Sequence, residues 1–165
     1  MTVGTTARGN PAPTPRTDPV LGRVADAVGL RVQGRREAAR TMLLEIWDEI
    51  GTDGDPLHRC SAAHALAGVQ DDPAAELEWH LRALLAADQV SSLHVNRAAY
   101  AAVELYPSLH LNLADVYLRL GRPEGSRTHL HLGRSALVPL PDGAAGRVLA
   151  DGLDRVEARL SRGAR

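Results

Sequence analysis

The sequence predicts an all-α fold built from stacked helix hairpins, and three features predict it. Apolar residues recur at helical spacing through most of the chain. Apolar types make up 44% of the residues, yet Phe is absent and aromatics are 3%, so a core must be assembled from Ala, Leu and Val, which favours helices over a sandwich. Residues 107–138 also read as one complete helix-turn-helix unit. Gly121 ends its first helix, and Pro123 sits in the first turn of its second, where a missing N–H costs nothing. Leu113, Ala114, Tyr117 and Leu120 form a stripe before the turn, and Leu130, Leu132 and Leu137 supply bulk after it. A lone pair of this kind leaves one flank uncovered, so copies should stack.

Taken in order, residues 1–17 are rich in Thr, Gly and Pro with almost nothing to bury, and they are expected to form a disordered arm ahead of one helical domain over 18–165. Asp18-Pro19 then opens a helix, Asp as N-cap and Pro as first residue, with Val20, Leu21, Val24, Ala25 and Val28 on its apolar face. From Arg35 to Ile50, Ala39, Met42, Leu43, Ile46, Trp47 and Ile50 mark a core helix. Gly34 before it stands where Gly121 stands in the complete unit, so 21–51 reads as a degenerate first repeat.

Asp55-Pro56 and Asp72-Pro73 repeat the opening device. With Pro56 aligned on Pro107, Ala62 and Ala63 fall on Leu113 and Ala114, Leu66 on Tyr117, Val69 on Leu120 and Trp79 on Leu130, with Gln70 in place of the turn glycine. The spacing, 107 − 56 = 51 residues, exceeds a regular period of about 34 by about 17. An insertion is therefore expected between Asp88 and Tyr106, with Ser91-Ser92 capping a short helix over 93–105. Pro139-Leu140-Pro141 interrupts the chain. Asp142 then caps a last helix whose stripe is Leu149, Leu153, Val156 and Leu160 and whose other faces are charged, as suits a terminal cover.

The run Leu113-Ala114, Tyr117, Leu120-Gly121, then small Ser126, bulky Leu130 and small Gly133 resembles the tetratricopeptide repeat. Ser126 and Gly133 stand where alanine is usual in that family, and the closing proline, Pro139, comes one place late. The resemblance implies a right-handed α-α superhelix of about three units with a C-terminal capping helix, and a concave groove lined by the first helix of each unit. Its implied groove residues here are Cys60, His64, Ser108, Leu111, Asn112, Asp115 and Arg119. In the family's carboxylate-clamping mode, Lys and Asn occupy groove places that here hold Val24, Val28, Cys60 and His64; only Asn112 matches, so an acidic chaperone tail is a poor partner.

Composition narrows the function. All 19 basic residues are Arg, the net charge is −1, and no basic surface for direct nucleic-acid binding is expected. The Ala, Arg, Gly and Pro excess looks like a GC-rich, actinobacterial genome. Cys60 is the single cysteine, excluding an intrachain disulfide and suiting a cytoplasmic setting, and no apolar run is long enough to span a membrane. The leading expectation is a non-catalytic scaffold that takes a protein or peptide partner, or a small ligand, with no cofactor. Two alternatives stand beside it. Cys60 and His64 share a helix face, and His110 from the adjacent helix could complete a metal site, or His64 could serve Cys60 as the base for a nucleophile oriented by Asp115. A regulatory module that senses a signal for a transcription-factor partner is the other.

Overall fold

In a computed structural model, residues 18–93, 97–137 and 143–163 are described, and among them all regular structure is helical. The helices are α1 (Pro19–Val32), α2 (Arg36–Ile50), α3 (Pro56–Ala67), α4 (Pro73–Leu93), α5 (Arg97–Arg119), α6 (Pro123–Leu137) and α7 (Ala144–Gly163). Consecutive helices from α1 to α6 pack on each other as three hairpins; α1 also meets α3, α3 meets α5, and α7 lies against both α5 and α6. No helix among the described residues is long and apolar enough to cross a membrane. The expected arm over 1–17, the Pro139-Leu140-Pro141 break and the Asp142 cap lie outside the described residues.

The punctuation of the chain explains its turns. The Asp18 carboxylate accepts from the amides of Val20 and Leu21 at 2.9 and 3.1 Å, and Asp55 and Asp72 cap α3 and α4 in the same way. These bonds satisfy amides that have no partner inside the helix. Asp18 also bonds His58 Nε2 at 2.7 Å, tying the start of α1 to α3, and this bond foremost holds its carboxyl below the ordinary value.

Gly34 and Gly121 both take positive φ, 79° and 68°. Around each, the following amide reaches back five residues, Arg35 to the Leu30 carbonyl and Arg122 to the Tyr117 carbonyl, both at 2.9 Å. Two hairpins thus close with the same glycine-dependent motif, as the register of the first unit on the complete one predicts. The middle hairpin lacks the glycine and substitutes side chains. Gln70 Nε2 donates to the Leu66 carbonyl at 2.8 Å and its Oε1 accepts from Arg40 at 2.9 Å. Arg36 donates to the carbonyls of Val69 and Gln70, placing cations at the negative end of α3.

Two expectations fail in the middle of the chain. No short helix capped by Ser91-Ser92 separates the second and third hairpins: both serines lie inside α4, and the extra length goes into α4 and α5, of 21 and 23 residues. The residues entering α5, Arg97-Ala98-Ala99-Tyr100-Ala101-Ala102, contain no breaker and much alanine, so extending the helix costs less than ending it. Pro107 likewise opens nothing. It lies inside α5 and is buried, where it removes one helical hydrogen bond, a loss of roughly 3 kcal/mol in an isolated helix, offset by packing along α4 and α6. Ser108 Oγ, beside it, donates to the Leu105 carbonyl at 3.0 Å.

The core follows the hairpins. Val24, Ala27, Ala39, Leu43, Ile46, Ala62, Leu66 and Val69 join α1, α2 and α3. Cys60, Ala63, Ala83, Ala86, Ala87 and Leu109 join α3, α4 and α5. Ala114, Leu130, Leu153, Val156 and Leu160 join α5, α6 and α7, so the last helix covers the flank its stripe anticipates. Ser126 and Gly133 are buried on α6 beside bulky Leu130, the small and large places the sequence marks. A Cβ on Gly133 would stand 2.9 Å from Leu153 Cδ2 and 3.3 Å from His110 Cβ, whereas one on Gly22 meets nothing within 4 Å. Gly133→Val should therefore destabilise the fold by about 1–3 kcal/mol through overpacking. Gly22→Ala, in an open helical position, should stabilise it by about 0.5–1 kcal/mol. Urea unfolding of both variants checks the opposite signs.

Candidate functional site

A cleft of about 510 Å³ is lined by α1, α3 and α5 together with the first turns of α4. Its apolar walls are Val24, Val28, Ala65 and Leu105; its polar lining is Arg31, Ser61, His64, Glu76, His80 and Asn112. The helical register accounts for this convergence. Ser61 and Asn112 occupy equivalent places in the second and third units, and Val28 and His64 in the first and second, so neighbouring hairpins share a position at the hollow, although Asp115, the third-unit counterpart of His64, is held in ion pairs instead.

Of the seven groove residues expected from sequence, His64 and Asn112 line this cleft. Ser108 is engaged with the backbone of its own helix. Leu111 packs toward α7, where a Cβ on Gly152 would stand 2.6 Å from it. Asp115 and Arg119 belong to an ion-pair network: Arg119 bonds Asp115 at 2.8 Å and Glu76 at 2.6 Å, and Arg159 of α7 bonds Asp115. Cys60 is fully buried between α3, α4 and α5. Burial foremost, with the Asp88 charge, pushes its thiol up to about 12, the opposite of what a metal-binding or nucleophilic thiolate needs.

Of the juxtaposition expected for His110, Asn112 and Asp115 with Cys60 and His64 on one face, the helices bring only His64 and Asn112 to the cleft. His110 turns toward α6, where its Nδ1 lies 3.0 Å from Nδ1 of His129. Its ring stacks on Tyr106, and His129 stacks on Tyr117 in turn, so four rings run in one column. Cys60, His64 and His110 therefore do not converge as a ligand set, and among the described residues no group of three or more His, Cys, Asp or Glu is placed to hold a metal ion. The physical reason is helical phase: His110 lies two residues, about 200°, from Asn112 on the same helix, so with Asn112 lining the cleft His110 faces α6 instead.

The ionisable cleft residues Arg31, Glu76 and His80 have no counterpart among the residues expected from the sequence. His80 was legible only as a helix position, four residues after Glu76 on the same face. It is 2% exposed, with Nε2 3.7 Å from Glu76 Oε1. Burial raises the Glu76 carboxyl, but hydrogen bonds from His80 and Arg119 outweigh it and hold the group below its ordinary value. His64 packs against His80 with ring centres 5.7 Å apart, and Nδ1 of each ring is buried without a hydrogen-bond partner. Burial foremost, then His80 and Arg31, lower His64 to about 4. The ring is neutral near pH 7.

The chain matches no family model, and no curated protein or solved structure is significantly similar to it.

His129 is likewise held down to about 4, by burial and then by His110, against an ordinary value of 6.5. Unfolded chains take up protons on both rings between 6.5 and about 4 that the folded state refuses. Stability should therefore fall as pH drops through this window. Replacing both rings (His64→Gln with His129→Gln) should flatten that limb in urea titrations; an unchanged slope would locate the acid sensitivity elsewhere. Cys60 should react with iodoacetamide at pH 8 only slowly in the native state and quickly in urea, as thiol mass labelling over time will read out.

Proposed function

We propose that the protein is a non-catalytic, tetratricopeptide-like scaffold that binds a peptide segment in the cleft between α1, α3 and α5. The observation that carries this reading is that the first helices of three successive hairpins line one hollow, with Val24 and Val28, then Ser61 and His64, then Asn112. Stacked helical units create such a surface because each presents the same places to the same side. Apolar walls with a few fixed polar groups are what an extended segment needs: burial supplies affinity, and donors and acceptors set register.

The buried, high-pKa thiol of Cys60 and the diversion of His110 to His129 favour binding over chemistry at this surface. Panning a random peptide library on the purified protein tests the proposal. Selected peptides should lose at least about tenfold in affinity, 1.4 kcal/mol, on Val28→Glu and on Asn112→Ala. Peptides that bind both variants as tightly as the parent protein would remove the cleft as the binding site.

A further inference from the structure

The cleft contains one fixed charge with no counterpart. Glu76 is matched by Arg119 and faced by His80. Arg31, a solvent-exposed residue in the last turn of α1, lines the same cleft, and among the described residues its guanidinium has neither a hydrogen bond nor an ion pair. It is near enough to His64 to oppose protonation of that ring, and its Nε and Cδ lie 3.8 Å from where a Cβ on Gly68 would be. The neighbouring polar groups are also unspent. Ser61 and Asn112 make no side-chain hydrogen bond among the described residues, and the His64 Nδ1 is buried and unpaired. A buried polar atom left in this condition costs free energy that a ligand can recover.

Resting on the reading of the cleft as a binding site, we infer that its ligand is an apolar monocarboxylic acid, a single carboxylate on a short aliphatic body, with Arg31 as its counter-ion. Charge selects the head group. A guanidinium presents a planar fork of donors that fits a carboxylate in a bidentate manner, and Asn112 and Ser61 can donate to the same kind of oxygen. One free cation balances one negative charge. A dianionic phosphate would face the Glu76 carboxylate with its second charge unmatched, since Arg119 is already committed to Glu76 and Asp115. Shape and polarity select the body: Val24, Val28, Ala65 and Leu105 supply an aliphatic wall, whose burial against a ligand contributes roughly 25 cal/mol per Å². The acid could be a free molecule or the end of a peptide with an apolar last residue, and the experiment separates these sources.

Calorimetric titration of the full chain with a straight-chain series from butyrate to octanoate, the matched primary amides, and an N-acetylated Ala-Ala-Leu peptide with free or amidated C-terminus tests the inference. The acid should bind at least about tenfold more tightly than its amide, with affinity rising along the series, and Arg31→Gln should abolish the preference while leaving the unfolding midpoint unchanged. Binding of the acids but not the free-ended peptide identifies a small ligand; binding of the peptide in a carboxylate-dependent way identifies a chain terminus. Equal affinity for acid and amide, a preference that survives Arg31→Gln, or no saturable binding of any acid up to millimolar concentration overturns the inference. Library peptides that bind through Val28 and Asn112 without needing a carboxylate overturn it alone and leave the cleft as a peptide site; loss of both results removes the cleft altogether.

Discussion

Close approach of small-faced helices is the constraint on which the structure depends. The chain has no Phe, and its helix contacts are made at Ala27, Ala39, Ala62, Ala63, Ala83, Ala87 and Ala114, all fully buried, with Ser126, Gly133 and Gly152 serving the same purpose later. An alanine buries little area, so each contact contributes little by transfer alone. Stability then rests on many dispersion contacts at short range, which tolerate no added bulk. Leu153 fills the space above Gly133, and Leu111 the space above Gly152. The long α4 and α5 extend this arrangement, because a longer contact line is how small side chains accumulate enough buried surface.

Arginine performs the electrostatic work left over from that packing. With every cationic side chain an Arg, forked guanidinium groups reach both carboxylates and the bare carbonyls at helix ends. Arg36 closes α3, Arg59 donates to the Gly51 carbonyl after α2, and Arg134 spans from α6 to Asp154 and Glu157 of α7. Arg59 and Arg82 lie over the rings of Trp47 and Trp79, whose own edge-to-face contact fills the volume between α2 and α4. Most of these pairs are solvent exposed and individually contribute little. Their value is in fixing where each helix ends and which neighbour it faces.

Four of the histidines meet in two pairs. His64 and His80 meet on the cleft side, and His110 and His129 meet between α5 and α6. Burial disfavours the charged form of His64, His110 and His129. The imidazoles then act as compact aromatic fillers in a chain poor in aromatics, and Tyr106 and Tyr117 extend the second pair into a column. The consequence differs between the pairs. His110 and His129 satisfy one another at 3.0 Å, one Nδ1 donating and the other accepting, whereas His64 and His80 each keep an unpaired Nδ1.

Much of the local chemistry was legible in the sequence. The Asp-Pro starts of α1 and α3, the glycine turns at Gly34 and Gly121, the stripes of α2 and α7, and the small places at Ser126 and Gly133 each follow from forces that act within a few residues. The placement of Val28, His64 and Asn112 on one side came from the resemblance to the tetratricopeptide repeat, and all three line the cleft. What the sequence could not decide was how the hairpins share their surfaces. Whether Pro107 begins a helix or is carried inside one depends on packing along α4 and α6, which outweighs a single lost hydrogen bond. Whether His110 faces Cys60 or His129, and whether Asp115 is free or held by Arg159, depends on partners 19 and 44 residues away. Arg31, Glu76 and His80 reach the cleft for the same reason: their membership is set by which helices meet, and that is decided only when small side chains let the three hairpins close on one another.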